Sequence, residues 1–333
     1  MNSSLASLAV HNPVLARFVD LLEAVDGRQP GLLRVITYHR IVEKDEDTSF
    51  SPGLTVSLPV FKEHMAYLSR RYRVLHIEEV LEAARAGSGL PARSLLVTFD
   101  DAYQDFAELA WPVLRKHDLP ATLFVPTAFP GQPRRVFWWD WLSQAFQFTE
   151  CRDEMETPAG KFSLSNTGLR LNAYKSLRDY VKGLPDAEVG DLVENICSRL
   201  DVPPRGPRIL NWAALRELAH QGVTLGAHTR THPLMNRISQ EEMRLEISGS
   251  IDDLRRETGQ SWPIFAYPGG ELSEAAVQLV QEAGIELGFT TRRGINDLKS
   301  MDPLRINRIN IGQKTSLPIL RAQLLARSRL LNR

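Results

Sequence analysis

The pattern of apolar and polar residues divides most of the chain into short apolar runs and longer amphipathic segments. Short apolar runs predict buried strands, and apolar residues spaced three and four apart predict helices that pack on them. The predicted strands cover residues 32–39, 72–77, 94–99, 121–125, 223–226, 264–267, 287–291 and 304–311. The predicted helices cover residues 12–26, 58–71, 78–85, 106–116, 168–183, 187–200, 212–220 and 273–283. A further helix begins at the capping box formed by Ser239 and Glu242. Seven or eight strands that alternate with helices predict an α/β barrel related to the (β/α)8 type.

The alternation is interrupted between residues 130 and 210. An aromatic cluster at residues 137–141 lies near the start of this stretch, and a proline-rich segment at residues 203–207 lies near its end. We interpret the stretch as an inserted helical segment that packs on the barrel mouth. Trp139 and its neighbours predict either a local core of the insertion or a platform on which a sugar ring stacks.

Two terminal helices are predicted to flank the barrel domain of residues 32–315. Residues 1–31 include a helix that is expected to pack on the barrel, and residues 316–333 form a basic helix with a Leu/Ile face. Docking on the barrel is the preferred interpretation of the C-terminal helix, and a peripheral membrane contact is the alternative.

Composition argues against several classes of function. The 40 Lys and Arg residues balance 40 Asp and Glu residues, so no net positive field favours nucleic acid. Cys151 and Cys197 are too few for a disulfide framework or a zinc ribbon. No apolar stretch approaches the length of a membrane span. The first eleven residues are a poor signal peptide, which predicts a cytoplasmic location.

Two adjacent carboxylates, Asp100 and Asp101, directly follow the predicted strand 94–99. Ligands bind at the C-terminal ends of strands in α/β folds. Two neighbouring acids repel each other in a buried position, and a metal ion would remove that repulsion. Because adjacent strand residues point to opposite faces, one of the two acids must reach the site through the turn after the strand.

His228 and His232 follow the predicted strand 223–226 and stand four residues apart. Alone, such a pair more simply predicts a capping or core pair of histidines. With one of the two acids, it would leave a divalent ion with an open coordination position, as catalytic zinc sites require. Two histidines and one carboxylate also suit Fe(II) in an oxygenase.

The remaining candidate groups fit hydrolysis of an amide or ester. A metal ion lowers the pKa of its water from about 15.7 toward about 7. One aspartate can bind the metal while the other accepts the proton of the water. His39, at the end of the predicted strand 32–39, suits protonation of a leaving amine. Backbone N–H groups at residues 268–270 suit a developing oxyanion.

Three motifs resemble those of the polysaccharide deacetylases, carbohydrate esterase family four with the NodB homology domain. Residues 98–101 (Thr-Phe-Asp-Asp) resemble its first motif, and residues 228–232 (His-Thr-Arg-Thr-His) resemble its second. Residues 265–270 (Phe-Ala-Tyr-Pro-Gly-Gly) resemble its third, and the order along the chain agrees. The resemblance covers about residues 32–311, interrupted by the insertion.

The resemblance implies a distorted (β/α)7-like barrel that removes acetyl from an N-acetylated sugar and releases acetate. It implies Asp100 as the general base and Asp101, His228 and His232 as metal ligands. Zn²⁺ is expected first, with Co²⁺, Ni²⁺ or Fe²⁺ as alternatives. The expected partner is a polysaccharide, oligosaccharide or glycolipid that contains N-acetylhexosamine, and the predicted location favours a precursor or glycolipid in exopolysaccharide assembly.

The third motif departs from the family pattern. Its usual arginine is replaced by Ala266, and its usual aromatic residue is replaced by Gly269, whose backbone N–H remains. We assign Tyr267, Pro268 and Gly269 to substrate or oxyanion binding. Arg308, on the last predicted strand, is the candidate to replace the missing arginine beside the base. A surface or structural arginine is its alternative role.

Two further departures concern the first motif and the C-terminus. The glycine that usually follows the two aspartates is Ala102, and the usual C-terminal Leu-x-His motif is missing. Residues 38–41 (Tyr-His-Arg-Ile) are instead similar to the branch that includes the poly-N-acetylglucosamine deacetylases, in which the acid histidine comes first. The resemblance therefore implies His39 as the catalytic acid.

Three other functions stay open. An esterase or a hydrolase of a cyclic amide would use the same metal site, and a non-catalytic relative would only bind carbohydrate. An iron oxygenase is the third. The intact set of ligands argues against a decayed site, and a free aspartate beside the ligands favours hydrolysis over oxygenation.

Overall fold

The computed structural model describes residues 22–23, 30–43, 53–132, 135–204 and 206–325. The strands are β1 (Leu32–Tyr38), β2 (Arg40–Val42), β3 (Thr55–Ser57), β4 (Arg73–Val74), β5 (Ser94–Phe99), β6 (Thr122–Val125), β7 (Glu154–Thr157), β8 (Gly160–Ser163), β9 (Thr224–Ala227), β10 (Ile264–Ala266), β11 (Leu287–Phe289), β12 (Asn296–Asp297) and β13 (Ile309–Asn310). The α-helices are α1 (Leu58–Arg71), α2 (Ile77–Arg85), α3 (Trp111–Lys116), α4 (Trp138–Phe148), α5 (Thr167–Val181), α6 (Asp186–Arg199), α7 (Trp212–His220), α8 (Gln240–Thr258), α9 (Glu274–Glu282) and α10 (Leu317–Gln323). A π-helical turn covers Phe106–Ala110, and 3-10 turns cover Pro268–Gly270 and Pro303–Arg305.

In the described part of the chain, a curled sheet of nine strands makes a half-barrel. Six parallel strands form its main path, in the order β11–β10–β9–β6–β5–β1. β4 pairs with β5, and β12 and β13 pair with β1. β5 pairs with β1 along its whole length, beginning with Leu33 opposite Ser94. Both strands are almost entirely buried, which explains the continuous apolar runs in the sequence. The predicted α/β fold with a distorted, barrel-like parallel sheet is confirmed.

The prediction of one continuous last strand over residues 304–311 is wrong. A 3-10 turn forms there because Pro303 begins it and the Asp302 side chain accepts a hydrogen bond from a backbone N–H of the turn at 2.9 Å. After the turn, Ile306 forms a single bridge to Phe289 of β11, and β13 pairs with β1. This short irregular segment links β11 to β1, and β12 adds a short antiparallel pairing with β1.

Aromatic side chains fill the inside of the half-barrel. The rings of Phe124 on β6 and Phe289 on β11 have centroids 5.2 Å apart. Gly226 on β9 lies so close to Phe124 that a Cβ there would come within 2.6 Å of the ring. Because these contacts fill the inside of the half-barrel, we expect a ligand to bind at the ends of the strands.

The interrupted region forms an insertion with a hydrophobic core of its own. Helices α5 and α6 lie within two residues of the predicted helices, whereas α4 and the β7–β8 hairpin were not predicted. The hairpin strands are four residues long and carry charged side chains, so they lack a clear apolar alternation. Trp138 and Trp141 pack against the insertion core, whereas Trp139 packs in a separate cluster with Tyr103 and Phe137.

The described part of the predicted C-terminal helix is α10, which lies against the barrel. Leu320 and Leu324 are buried in the main core, and the Leu324 carbonyl accepts a hydrogen bond from Arg34 Nε at 2.7 Å. Residues 326–333 and most of the predicted helix over residues 12–26 lie outside the described residues. Among the helices of the described ranges, none combines the length and apolar character needed to cross a bilayer.

Candidate metal and catalytic site

The predicted metal ligands meet beyond the C-terminal ends of β5 and β9. One ligand atom from each of Asp101, His228 and His232 lies within 4.8 Å of the other two. Asp101 Oδ1 is 3.3 Å from His232 Nε2 and 3.6 Å from His228 Nε2. One carboxylate and two imidazoles that converge in this way are the donor set of a metal site with an open position.

The polar atoms of this cluster fit a divalent cation. Asp101 Oδ1 is buried and has no hydrogen-bond partner among the described residues. The Ala266 carbonyl lies 2.7 Å from His228 Nδ1, so Nδ1 must carry the hydrogen and Nε2 keeps its lone pair. Burial lowers the pKa of His228 to about 4, which keeps the imidazole neutral, as metal binding requires.

Left-handed backbone turns present two of these ligands. Asp101 has φ 72°, Thr229 has φ 61° and His232 has φ 65°. Non-glycine residues in this region cost roughly 1–2 kcal/mol each, so the surrounding fold must hold them there. The Thr229 Oγ1 accepts a hydrogen bond from the His232 N–H at 3.0 Å, which stabilises the second turn. Because of the turn at Asp101, the side chains of Asp100 and Asp101 do not have to point to opposite faces, as adjacent residues in a strand do.

Asp100 forms a buried ion pair with Arg308. The Arg308 Nη1 and Nη2 atoms donate to the two carboxylate oxygens at 2.7 and 2.6 Å, and Nε donates to the Thr290 carbonyl at 2.8 Å. Burial opposes ionisation of Asp100, but the adjacent guanidinium and nearby histidines hold its pKa well below its usual range. Arg308 precedes β13 and is fully buried, so the surface alternative for this residue is wrong.

His39 lies beside the same carboxylate, with Nε2 3.9 Å from Asp100 Oδ2. Its segment is held by Asp105, which sequence reasoning missed. Asp105 accepts hydrogen bonds from the Ile41 N–H at 2.9 Å and from Arg40 Nε at 3.2 Å, so it ties β2 to the turn after β5. Burial raises the pKa of Asp105 to about 6. The sequence signal available for Asp105 was its position as a third acidic residue shortly after Asp100 and Asp101.

Trp139 lies beside the predicted metal ligand His232, with ring centroids 4.7 Å apart. Its indole N–H donates to the Tyr103 hydroxyl at 3.2 Å, and that hydroxyl donates to Asp140 Oδ2 at 2.8 Å. Burial raises the pKa of Asp140 to about 7. Tyr103 and Asp140 were not predicted, although a single carboxylate inside the aromatic cluster was a usable signal.

The third motif contributes main chain rather than aromatic side chains to the site. Tyr267 is fully buried, with its ring 5.3 Å from that of Phe265, and its N–H donates to a β11 carbonyl at 3.0 Å. Pro268 is also buried, and neither Tyr267 nor Pro268 lines the cavity, so their roles in substrate or oxyanion binding stay predictions. Of the three predicted residues, Gly269 lines the cavity. A Cβ at Gly269 would come within 2.8 Å of Leu234, which occupies the adjacent space.

The candidate residues line one wall of a cavity of about 370 Å³, which falls in the usual range for small-molecule sites. The wall formed by the strand ends carries His39, Asp100, Asp101, His228, His232 and Gly269. The insertion contributes Trp138, Trp139, Tyr174, Arg178, Val181, Lys182, Leu184, Asp186 and Val189. The insertion is therefore part of the site.

A comparison with known families matches residues 87–288 to the polysaccharide deacetylase model. The chain belongs to the polysaccharide deacetylase family. The matched range contains all three motifs and the insertion, so the family expected from the motifs is confirmed. The assignment of this polysaccharide deacetylase to a branch with an N-terminal acid histidine stays a prediction.

Two curated relatives are poly-beta-1,6-N-acetyl-D-glucosamine N-deacetylases. The protein from Escherichia coli is 22% identical to this polysaccharide deacetylase over 293 residues, which is 87% of this chain and 38% of the relative. The protein from Staphylococcus epidermidis is 30% identical over 106 residues, 29% of this chain and 36% of the relative. The chain spans well under half of the length of these relatives.

Solved structures share the fold of this polysaccharide deacetylase. The deacetylase PplD of Streptococcus pyogenes, in complex with acetate, has a TM-score of 0.59 at 22% identity and covers 88% of this chain and 97% of its own. IcaB of Ammonifex degensii has a TM-score of 0.60 at 18% identity and covers 89% and 97%. At these identities the likeness establishes the half-barrel fold alone.

Proposed function

We propose that the protein is a metal-dependent hydrolase that removes acetyl groups from N-acetylhexosamine in a polysaccharide, oligosaccharide or glycolipid and releases acetate. The observation that carries this proposal is the convergence of Asp101, His228 and His232 beside the Asp100–Arg308 pair. The names of the Escherichia coli and Staphylococcus epidermidis relatives support an N-acetylated glucosamine polymer as one substrate class.

Asp101, His228 and His232 would hold the metal. Their oxygen and nitrogen donors favour zinc, with cobalt, nickel or iron as alternatives. When bound, the ion would polarise the acetamide carbonyl and acidify the attacking water. The chain keeps its ligands in the required states. Burial opposes ionisation of Asp101, but its contact with His232 and the nearby histidines lower its pKa, and His228 stays neutral.

Asp100 accepts the proton of the attacking water. Its carboxylate is ionised at neutral pH, and the paired hydrogen bonds from Arg308 orient it. A carboxylate with a lowered pKa is a weak base, so the step depends on a water that is already acidified. The pairing with Arg308 therefore lowers the base strength of Asp100 but fixes the orientation of its carboxylate.

His39 protonates the leaving amine. Its Nε2 lies 3.9 Å from the carboxylate that takes the first proton, so neighbouring groups handle both proton transfers. On the other side of the cavity, Gly269 adopts φ 61° and brings main chain to the surface of the cavity. Its backbone N–H is our candidate to stabilise the oxyanion of the tetrahedral intermediate.

Acetate release from β-1,6-linked and β-1,4-linked N-acetylglucosamine oligomers tests the proposal. The full chain is assayed as purified, after chelation, and after zinc is restored. We expect activity to disappear with the chelator and to return with zinc. Asp100→Asn should lower kcat by about 10²–10⁴-fold and keep one equivalent of zinc, whereas His228→Ala should lose the zinc.

Two results would overturn the proposal. Full activity in the chelated protein, or less than one equivalent of bound metal at saturation, would show that the reaction does not depend on the proposed metal site. A zinc-loaded protein that releases no acetate from any N-acetylated saccharide would not be a deacetylase. If that protein hydrolysed an acetyl ester instead, it would be an esterase on the same site, and saccharide binding without turnover would identify a non-catalytic relative.

A further inference from the structure

The cavity has a second wall whose charges the proposed reaction does not use. Arg178 lies in the last turn of α5, and Lys182 follows one helical turn later, so both point to the same side of the helix. Arg237, from the loop between β9 and α8, also lines the cavity. Three cationic side chains from the insertion and one barrel loop thus face the space beside the catalytic groups.

These cations are not neutralised by strong ion pairs. Arg178 contacts the carboxylate of its neighbour Asp179, but the two side chains are 31% and 65% exposed, and such exposed pairs are weak. Neither Lys182 nor Arg237 forms an ion pair with any residue in the described ranges. Lys182 and Arg237 are both exposed. Desolvation and the positive charge of Arg178 lower the pKa of Lys182, and the carboxylates of Asp179 and Glu271 act in the opposite direction.

The acidic residues of the cavity do not balance this wall. Of the lining carboxylates, Asp100 is paired with Arg308, and Asp101 lies against the histidines of the metal site. Asp186 is the remaining lining carboxylate. Outside the lining, Asp179 is paired with Arg178, and Glu271 attracts Lys182 electrostatically. Among the lining residues, this wall presents three cations and one carboxylate, next to the aromatic ring of Tyr174.

We propose that Arg178, Lys182 and Arg237 form a subsite for an anionic group of the saccharide substrate. This proposal rests on the deacetylase function above and narrows its substrate class to acidic saccharides. A uronate carboxylate or a phosphate ester on a neighbouring sugar would supply the negative charge. A neutral N-acetylglucosamine polymer offers these cations no charged partner, whereas an anionic group would be attracted by their combined field at the cavity wall.

The decisive measurement compares kcat/KM on matched charged and neutral substrates. The carboxylate pair is a hexasaccharide of alternating N-acetylglucosamine and glucuronate and the same compound with its carboxylates reduced to alcohols. The phosphate pair is an N-acetylglucosamine oligomer with and without a 1-phosphate. The zinc-loaded full chain is compared with the Lys182→Met/Arg237→Gln double variant. Lys175→Met is the matched control, because Lys175 lies on α5 and does not line the cavity.

We expect the unmodified protein to prefer the charged member of at least one pair by about tenfold, since two cations each contribute severalfold. The double variant should lose this preference, and Lys175→Met should keep it. The pair that shows the preference identifies the source of the charge as carboxylate or phosphate. Equal kcat/KM within both pairs, or a preference that survives in the double variant, would overturn the subsite.

A binding measurement separates failure of the subsite from failure of the deacetylase function. Calorimetry on zinc-loaded Asp100→Asn compares the dissociation constants of the same charged and neutral saccharides, with and without the double substitution. A tenfold preference that requires Lys182 and Arg237 would support the subsite even if no acetate were released. The same dissociation constant for charged and neutral saccharides would overturn it even in an active deacetylase.

Discussion

Arg308 holds both carboxylate oxygens of Asp100, at 2.7 and 2.6 Å, across a sequence separation of 208 residues. In the family pattern, an arginine is expected at the position of Ala266. Here the Ala266 side chain is buried, and its carbonyl is occupied by His228 Nδ1. The guanidinium of Arg308 reaches Asp100 from a different part of the barrel. It can therefore pair with Asp100 in place of the arginine expected at position 266.

Arg308→Met should impair both activity and stability. Loss of the guanidinium raises the pKa of Asp100, so the acid limb of the kcat/KM profile should move to higher pH. The free energy of unfolding should fall by about 3–5 kcal/mol, because a buried carboxylate loses its partner. Urea unfolding and a pH–rate profile measure the two effects. Arg305→Met, at a partly exposed arginine, is the control. An acid limb that does not move in Arg308→Met would show that Asp100 is not the titrating base.

Asp105→Ala should lower kcat through the position of His39. Without the two hydrogen bonds from β2, His39 loses its support, and small displacements of a catalytic group cost about 10–100-fold in rate. Zinc stoichiometry and KM should change little, and Asp105→Asn should recover part of kcat because it keeps an acceptor for the Ile41 N–H. Glu108→Ala, at an exposed acid in the next turn, is the control. Equal loss in kcat and bound zinc would point to general unfolding instead.

Asp140→Asn should change how stability depends on pH. The folded pKa of Asp140, about 7, lies above the unfolded value of about 3.9. The folded state therefore binds the proton more tightly, so this group stabilises the protein below about pH 4 and loses that contribution as the pH rises through 7. Relative to Asp140→Asn, the wild-type protein should lose on the order of 3 kcal/mol between pH 4 and pH 8. This expectation would be contradicted if the free energies of unfolding of the wild-type protein and Asp140→Asn, measured with urea, changed in parallel with pH.

Gly270→Ala should destabilise the protein more than Gly284→Ala. Both glycines have positive φ, 73° and 80°. A Cβ at Gly270 would collide with the Thr291 side chain and backbone, whereas a Cβ at Gly284 would meet nothing within 4 Å. Gly284→Ala should therefore lose only about 1 kcal/mol from backbone strain, and Gly270→Ala at least about 1–3 kcal/mol more from overlap. Equal losses in urea unfolding would show that the turn at Gly270 relaxes to accommodate the Cβ.

Local sequence patterns predicted the elements whose stability depends on residues that are close together in the chain. The buried strand β5 and the capped helix α8 were readable because apolar runs and a capping box depend on neighbouring residues. The β7–β8 hairpin was not readable, because its short charged strands are stabilised by packing of Met155 and Phe162 with the helices of the insertion core. The last strand was overpredicted because Pro303 and Asp302 favour a turn within an otherwise apolar stretch.

The sequence by itself determined the family, the barrel-like fold and the candidate metal-ligand set, because Asp101 and the pair His228 and His232 each lie in one short motif after a strand. Only the tertiary structure decided which distant groups complete the site. Arg308 beside Asp100 and the insertion wall over the cavity depend on how the strand ends and the inserted helices come together. Sequence spacing does not encode such contacts, because they arise from packing between elements far apart in the chain.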